Sequence, residues 1–261
     1  MIMAKQKRTI VGFPITPSML IELDAFTRFM PAPEDFNPAG KWLHSYRIWT
    51  CHGYRESGND NVGFLRIERV GNSSETFVLN VHHEVLQTDA ITHIIDGKIK
   101  CRNNQLASPI QWRLQSSFTG TDGKHISELL SSDNDMADEE VERNTSDFCL
   151  FEAVQRLAYD KDSSVSFDLL EGMRLSKPGH RLLYRGTHPI KMDGRDIPLH
   201  CFVQLGSGVL PYEYWLDDNH RLLAAISMNK AYILDEQAEQ IIEKEAEEAR
   251  KSYQRKRKQE Q

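Results

Sequence analysis

From Trp42 onward the chain changes sides at nearly every step. Large apolar residues return at every second position: Tyr46 and Ile48, Leu65 and Ile67, then Phe77, Leu79, Val81 and Val85, and later Ile110, Trp112 and Leu114. A period of two marks strands, because successive side chains leave a β-ribbon on opposite faces. Turn-forming residues punctuate the pattern at Gly71–Ser74, Asp96–Gly97, Asp122–Gly123, Asp193–Gly194 and Asp217–His220. Asp-Gly pairs between alternating runs predict tight hairpins. The alternation resumes in SVSFDLLEG, HRLLYRGTH and IPLHCFVQLGSG, and again in PYEYWLDD, RLLAAISM and KAYILD. Where Tyr46 and Ile48 alternate with Arg47 and Trp49, both faces carry bulky groups, which predicts cover on both sides.

Three helices are expected among these strands. Thr16–Pro17 reads as a cap followed by proline at the first helical position, and Leu20, Leu23, Phe26, Phe29 and Met30 follow at helical spacing before Pro31 and Pro33. Ser146 or Asp147 opens a second helix, near 147–159, with Phe148, Leu150, Phe151, Val154 and Leu157 on its apolar side. The tail is acidic first and basic last, an order that suits the helix dipole, and its apolar stripe is thin: Ala238, Ile241, Ile242, Ala246 and Ala249. The expected fold class is α+β, mostly antiparallel β. One large curved sheet carries two short packing helices and a charged C-terminal helix. The expected division is a helix and proline-rich lead-in over 1–41, a single curved β domain over 42–236, and a charged helical tail over 237–261.

Composition narrows the function. With 39% hydrophobic and 27% charged residues, the 261-residue chain lies in the globular range. A net charge of −6 argues against a dedicated nucleic-acid binder. No apolar run approaches the roughly 20 residues of a membrane span. The N-terminal apolar run from Ile10 to Ile15 is short for a secretion signal and contains Gly12 and Pro14. The chain as written is therefore expected in the cytoplasm, and outside it if a leader has been missed or removed. Cys51, Cys101, Cys149 and Cys201 form no C-x-x-C pair. They are expected to be small buried hydrophobes; two disulfides in an oxidising compartment are the alternative.

No familiar reaction motif is present. The chain has no G-x-S-x-G, LGSGVLP lacks both the P-loop lysine and dinucleotide spacing, and His83–Glu84 is not followed by the second histidine of a zinc-protease helix. DNDMADEEVERN begins like a calcium loop, but Asp138 stands where glycine is needed and Asn144 where a bidentate glutamate belongs. The most suggestive polar feature is His83 with His93. If Thr88 centres a tight turn and Leu86 pairs with Ala90, His83 lies directly opposite His93, at about 4.5–5.5 Å between Cβ atoms. Such a pair can share a metal or act as acid and base, or each histidine can simply bond a neighbour. A one-residue register slip separates them. His200 beside Cys201 is a weaker candidate. Trp49, Trp112, Tyr214 and Trp215 are broad enough to line a ligand site, or simply to cover a wide sheet.

The order of SPIQWRL, FCLFEAVQRL, FDLLEGMRL and LPYEYWLDDNHRLL…AYILDE resembles uncharacterised bacterial β-rich proteins. These are built on a wide, strongly curved sheet similar to the half barrel of periplasmic lipoprotein carriers. The resemblance covers roughly Trp42 to Glu236 and implies a concave face that helices fill or lid. It carries no functional residues onto this chain. The function expected is a non-catalytic scaffold that binds an apolar, lipid-like small molecule, without a cofactor. The alternatives are an enzyme or metal site at His83 and His93, and a structural or assembly protein.

Overall fold

A computed structural model of the chain describes residues 9–11, 36–50, 58–71, 73–86, 92–119, 125–132, 142–162, 164–192, 195–244, 247–248, 251 and 255. The expected helix over 17–30, the turns at 122–123 and 193–194, most of the acidic loop, and Cys51 lie outside these residues. The strands are β1 (Thr9–Val11), β2 (Trp42–Thr50), β3 (Gly58–Gly71), β4 (Thr76–Leu86), β5 (Thr92–Arg102), β6 (Pro109–Thr119), β7 (His125–Ser131) and β8 (Asn144–Ser146). They continue with β9 (Ser164–Glu171), β10 (Leu175–Met192), β11 (Arg195–Leu205), β12 (Tyr212–Leu216), β13 (Leu222–Ile226) and β14 (Lys230–Leu234). Helix α1 spans Asp147–Ala153 and runs into a 3-10 turn at Val154–Arg156. Helix α2 begins at 238 and is continuous to 244.

All these strands belong to one curved, unclosed sheet. Thirteen follow a single path, β7-β6-β5-β4-β3-β2-β14-β13-β12-β11-β10-β9-β8, while β1 pairs beside β3. Two antiparallel meanders, β2 to β7 and β9 to β14, meet where β14 pairs with β2. Only the short β8–β9 ladder is parallel among the described pairings. Irregular registers at Ile48/Trp49, Lys100/Cys101, Lys177/His180, Tyr184/Gly186 and Trp215/Leu216 bend the strands locally.

The Asp96–Gly97 hairpin does not form. Both residues lie inside β5, opposite His82 and Val81. A Cβ on Gly97 would stand 2.2 Å from the carbonyl oxygen of Arg113 on the next strand, and one on Gly63 would stand 2.0 Å from that of Glu84. The two glycines mark places where neighbouring backbone folds close over the strand, so they permit the sheet to curl.

Helix α1 lies inside the curl. Its Phe151 meets Tyr46 of β2, Tyr214 of β12 and Tyr232 of β14, while Phe148 meets His83 of β4. A seven-residue helix reaches strands so far apart in the sheet only if the sheet wraps around it. Ser146 starts the helix by accepting a hydrogen bond from the Cys149 backbone N–H at 3.1 Å. Phe148 through Ala153 are all buried, and each large apolar side chain so buried contributes about 1.5–3 kcal/mol. The helix ends earlier than expected, and Tyr159 belongs to the coil beyond it, stacked on His200. Fully buried Glu152 is gripped by Arg69 of β3 at 2.9 Å and by Arg156 at 2.7 Å. That ion-paired group ties α1 to one meander.

The outer face carries a second buried layer. Trp49, Ala231 and Ile233 stand on it, opposite Ile48 and Tyr232. Ala238 and Ile242 of α2 pack on Phe64, and Glu239 pairs with Arg66 at 2.9 Å. Cys101, Cys149 and Cys201 are buried and free, with the first two sulfurs 3.7 Å apart. No helix among the described residues is long and apolar enough to cross a membrane.

Candidate functional site

The trough is not filled solid. At the end of α1 nearest Asp147, a cavity of about 340 Å³ remains between the helix and the sheet. Five aromatic residues line it: Phe148 and Phe151 from α1, Tyr212 and Tyr214 from β12, and Tyr232 from β14. Leu65, Leu169, Val209 and Leu210 add aliphatic surface, the last two from the loop between β11 and β12. Alternation explains the placement. Tyr232 pairs across from Ala225 and Ile48, and Tyr214 from Ala225 and Phe202, so these side chains share the concave face.

Polar groups enter this cavity at a few points. The Tyr214 hydroxyl donates to Gln204 Oε1 at 2.8 Å, which fixes the ring. Burial raises the phenols of Tyr214 and Tyr232 well above their ordinary range, so both stay neutral. Asp147 accepts backbone N–H bonds from Phe148 at 3.1 Å and from Gly172 at 3.0 Å. Burial outweighs those bonds and, with nearby Glu171, pushes its carboxyl up to about 6. Glu171 itself is held by Lys177 at 2.6 Å. Lys230, at the first position of β14, is half-buried and its ammonium lies 5.9 Å from the Tyr232 ring centre. Burial lowers its pKa and Asp147 draws it back up, while it makes no salt bridge to any described carboxylate.

The proposed site residues are scattered. Of Trp49, Trp112, Tyr214 and Trp215, only Tyr214 lines this cavity. Trp49 and Trp215 stand on the outer face, the latter edge-on to His188. Trp112 is on the inner side but two strands beyond β4, packed against the rim of the core. His83 and His93 share a face without being opposite. His83 pairs with Ile95, and His93 with Val85, because Leu86 pairs with Thr92 rather than Ala90. The connection is two residues longer than a Thr88-centred turn, which moves His93 one diagonal step along the strand.

Their chemistry diverges as well. His93 stacks flat on Phe118 at 4.0 Å and shares a hydrogen bond with Ser116 at 3.1 Å. His83 is buried between Phe148 and Tyr232, its Nδ1 has no hydrogen-bond partner, and burial, followed by the Lys230 charge, lowers its pKa to about 3. It stays neutral at physiological pH. No group of three or more metal-ligating side chains occurs among the described residues. His200 is oriented by Asp218 at 2.8 Å and Tyr184 at 2.7 Å, outside this cavity.

Asp147, Gln204 and Lys230 were not singled out as site residues in the sequence. Asp147 reads there as a helix cap, and Lys230 as the first residue of the short strand KAYILD. Nothing local shows that residues 83 positions apart face one space.

No protein-family model matches the chain, and no curated protein matches it. Among solved structures, it is similar to a β-barrel-like protein of a domain of unknown function from Brucella abortus. The likeness has a TM-score of 0.45 and 9% identity, and it covers 75% of this chain and 95% of that one.

Proposed function

We propose that this chain is a non-catalytic binding scaffold that holds a small apolar or lipid-like molecule inside its curved sheet. The observation that carries this reading is the cavity of about 340 Å³ between α1 and the sheet, lined by aromatic and aliphatic side chains with a few polar groups. Small-molecule sites of about 300–1,000 Å³ are mostly apolar, with a few placed polar groups. Burying a ligand's apolar surface there contributes about 25 cal/mol per Å² without needing a reactive residue. A reaction at His83 and His93 has less to stand on, since one ring is held neutral and the other is stacked and hydrogen-bonded elsewhere.

Native mass spectrometry of the full chain, purified gently from its own source, tests the reading. A bound small molecule that leaves on denaturation is the expected result. A bare chain that also fails to take up an apolar naphthylamine dye would overturn it.

A further inference from the structure

Among the described residues, the one cation lining the cavity makes no salt bridge. Lys230 comes from β14, is half-buried, and lines the cavity together with Tyr232, Phe148 and Asn229. The carboxylates on the same wall are otherwise engaged: Asp147 Oδ1 and Oδ2 accept backbone N–H bonds from Phe148 and Gly172, and Glu171 is paired with Lys177. Partial burial takes some hydration from the Lys230 ammonium, and a counter-charge offsets that cost. The remainder of the cavity offers that counter-charge an apolar body to be attached to.

We propose, building on the scaffold reading above, that the bound molecule is a single-tailed amphipath with a carboxylate head, its head at Lys230 and its tail between Tyr214, Tyr232 and Phe151. The charge count selects a monoanion. A phosphate dianion would bring two charges to one ammonium, beside Asp147 and Glu171. A cationic head would meet Lys230 directly. A neutral head leaves the ammonium as it is.

The arrangement also makes binding depend on pH. The groups around Lys230 are Asp147 from α1, Glu171 with its partner Lys177 on the β9–β10 side, neutral His83 from β4, His93 from β5, whose pKa burial and the Lys230 charge lower, and the neutral phenols of Tyr214 and Tyr232. Of the carboxyl groups, that of Asp147 is pushed up to about 6. Above that value its charge competes with the ligand for Lys230; below it the competition ends. A fatty carboxylate, with an ordinary pKa of about 4.3–5, remains largely ionised at pH 5.5.

Calorimetric titration of the full chain with dodecanoate, dodecanol and dodecyltrimethylammonium, each below its aggregation limit, tests the assignment. Dodecanoate is expected to bind roughly tenfold tighter than dodecanol, the scale of one hydrogen bond to a charged group. It is also expected to bind more tightly at pH 5.5 than at pH 7.5. Lys230→Met should bring dodecanoate down to the affinity that dodecanol has for the same variant, with an unchanged circular dichroism spectrum as the check on folding. Asp147→Asn should remove the pH dependence. Equal binding of dodecanoate and dodecanol, or a preference for the ammonium, would overturn the head-group assignment and leave the scaffold reading standing. Failure of all three to bind would remove both.

Discussion

Single residues decide how tightly this sheet curls. Gly63 and Gly97 have no room for a Cβ, since each would meet a neighbouring backbone oxygen at close to 2 Å. Gly63→Ala and Gly97→Ala are each expected to cost about 1–3 kcal/mol, the usual penalty for overpacking. Gly71→Ala, with nothing within 4 Å, should stay within about 0.5 kcal/mol in the same urea titrations. An equal effect at all three positions would remove close approach as the cause. Gly97 also shows why a sequence can be misread here: Asp-Gly signals a hairpin and a crowded strand interior in the same letters. Buried histidines set a second residue-scale expectation. His44 and His83 have pKa values lowered by burial to about 3, against about 6.5 in the unfolded chain. The unfolded state therefore binds more protons between those values, and stability falls as pH drops from about 6.5 toward 3. Asp147, raised to about 6, opposes this, because the folded state holds its proton more tightly. The histidines are expected to dominate. His83→Phe should flatten the acid side of a plot of urea midpoint against pH, and an unchanged slope would show that His83 is not a source of the loss.

At the scale of elements, α1 is what makes the concave side an interior. Its apolar face was legible from Phe148, Leu150, Phe151 and Val154, and so was the strand alternation of Tyr46, Leu65, Phe77 and Tyr214. What alternation did not reveal was which side of each strand is concave. Both sides are buried around β2, β14 and β12, so Trp49 and Trp215 looked as suitable for a pocket as Tyr214. The His83–His93 register was also illegible, because it depends on the length of a turn that no local signal specifies. Glu152 illustrates a different limit: a glutamate on an otherwise apolar helix face reads as a solvated position, yet here it is fully buried between Arg69 and Arg156. Removing it leaves two guanidinium groups without their shared partner. Glu152→Ala is expected to cost about 3–5 kcal/mol in chemical denaturation, the range for breaking a buried ion pair from one side. A loss below about 1 kcal/mol would place those arginines in contact with water and show that the Glu152 ion pairs do not hold α1 to β3.

At the scale of the molecule, two meanders share one interior. Within each, neighbouring strands are neighbours in sequence and form locally. The β2–β14 ladder joins segments from opposite ends of the chain, and α1 touches strands on both sides of that seam. The cavity exists only once the seam has formed, since Leu65 comes from one meander and Tyr212, Tyr214 and Lys230 from the other. If seam and helix bind the halves into one core, neither meander can unfold while the other stays intact, and unfolding is a single transition. Trp112 lies in β6 and Trp215 in β12, so they report on separate halves. Variants that keep only one of these tryptophans, the others replaced by phenylalanine, should show coincident urea midpoints by fluorescence within each background when compared with far-ultraviolet circular dichroism. A Trp112 signal that melts before the dichroism, while the Trp215 signal tracks the remainder, would mean that the meanders are separable. The shared interior would then be a contact between two bodies rather than the core of one.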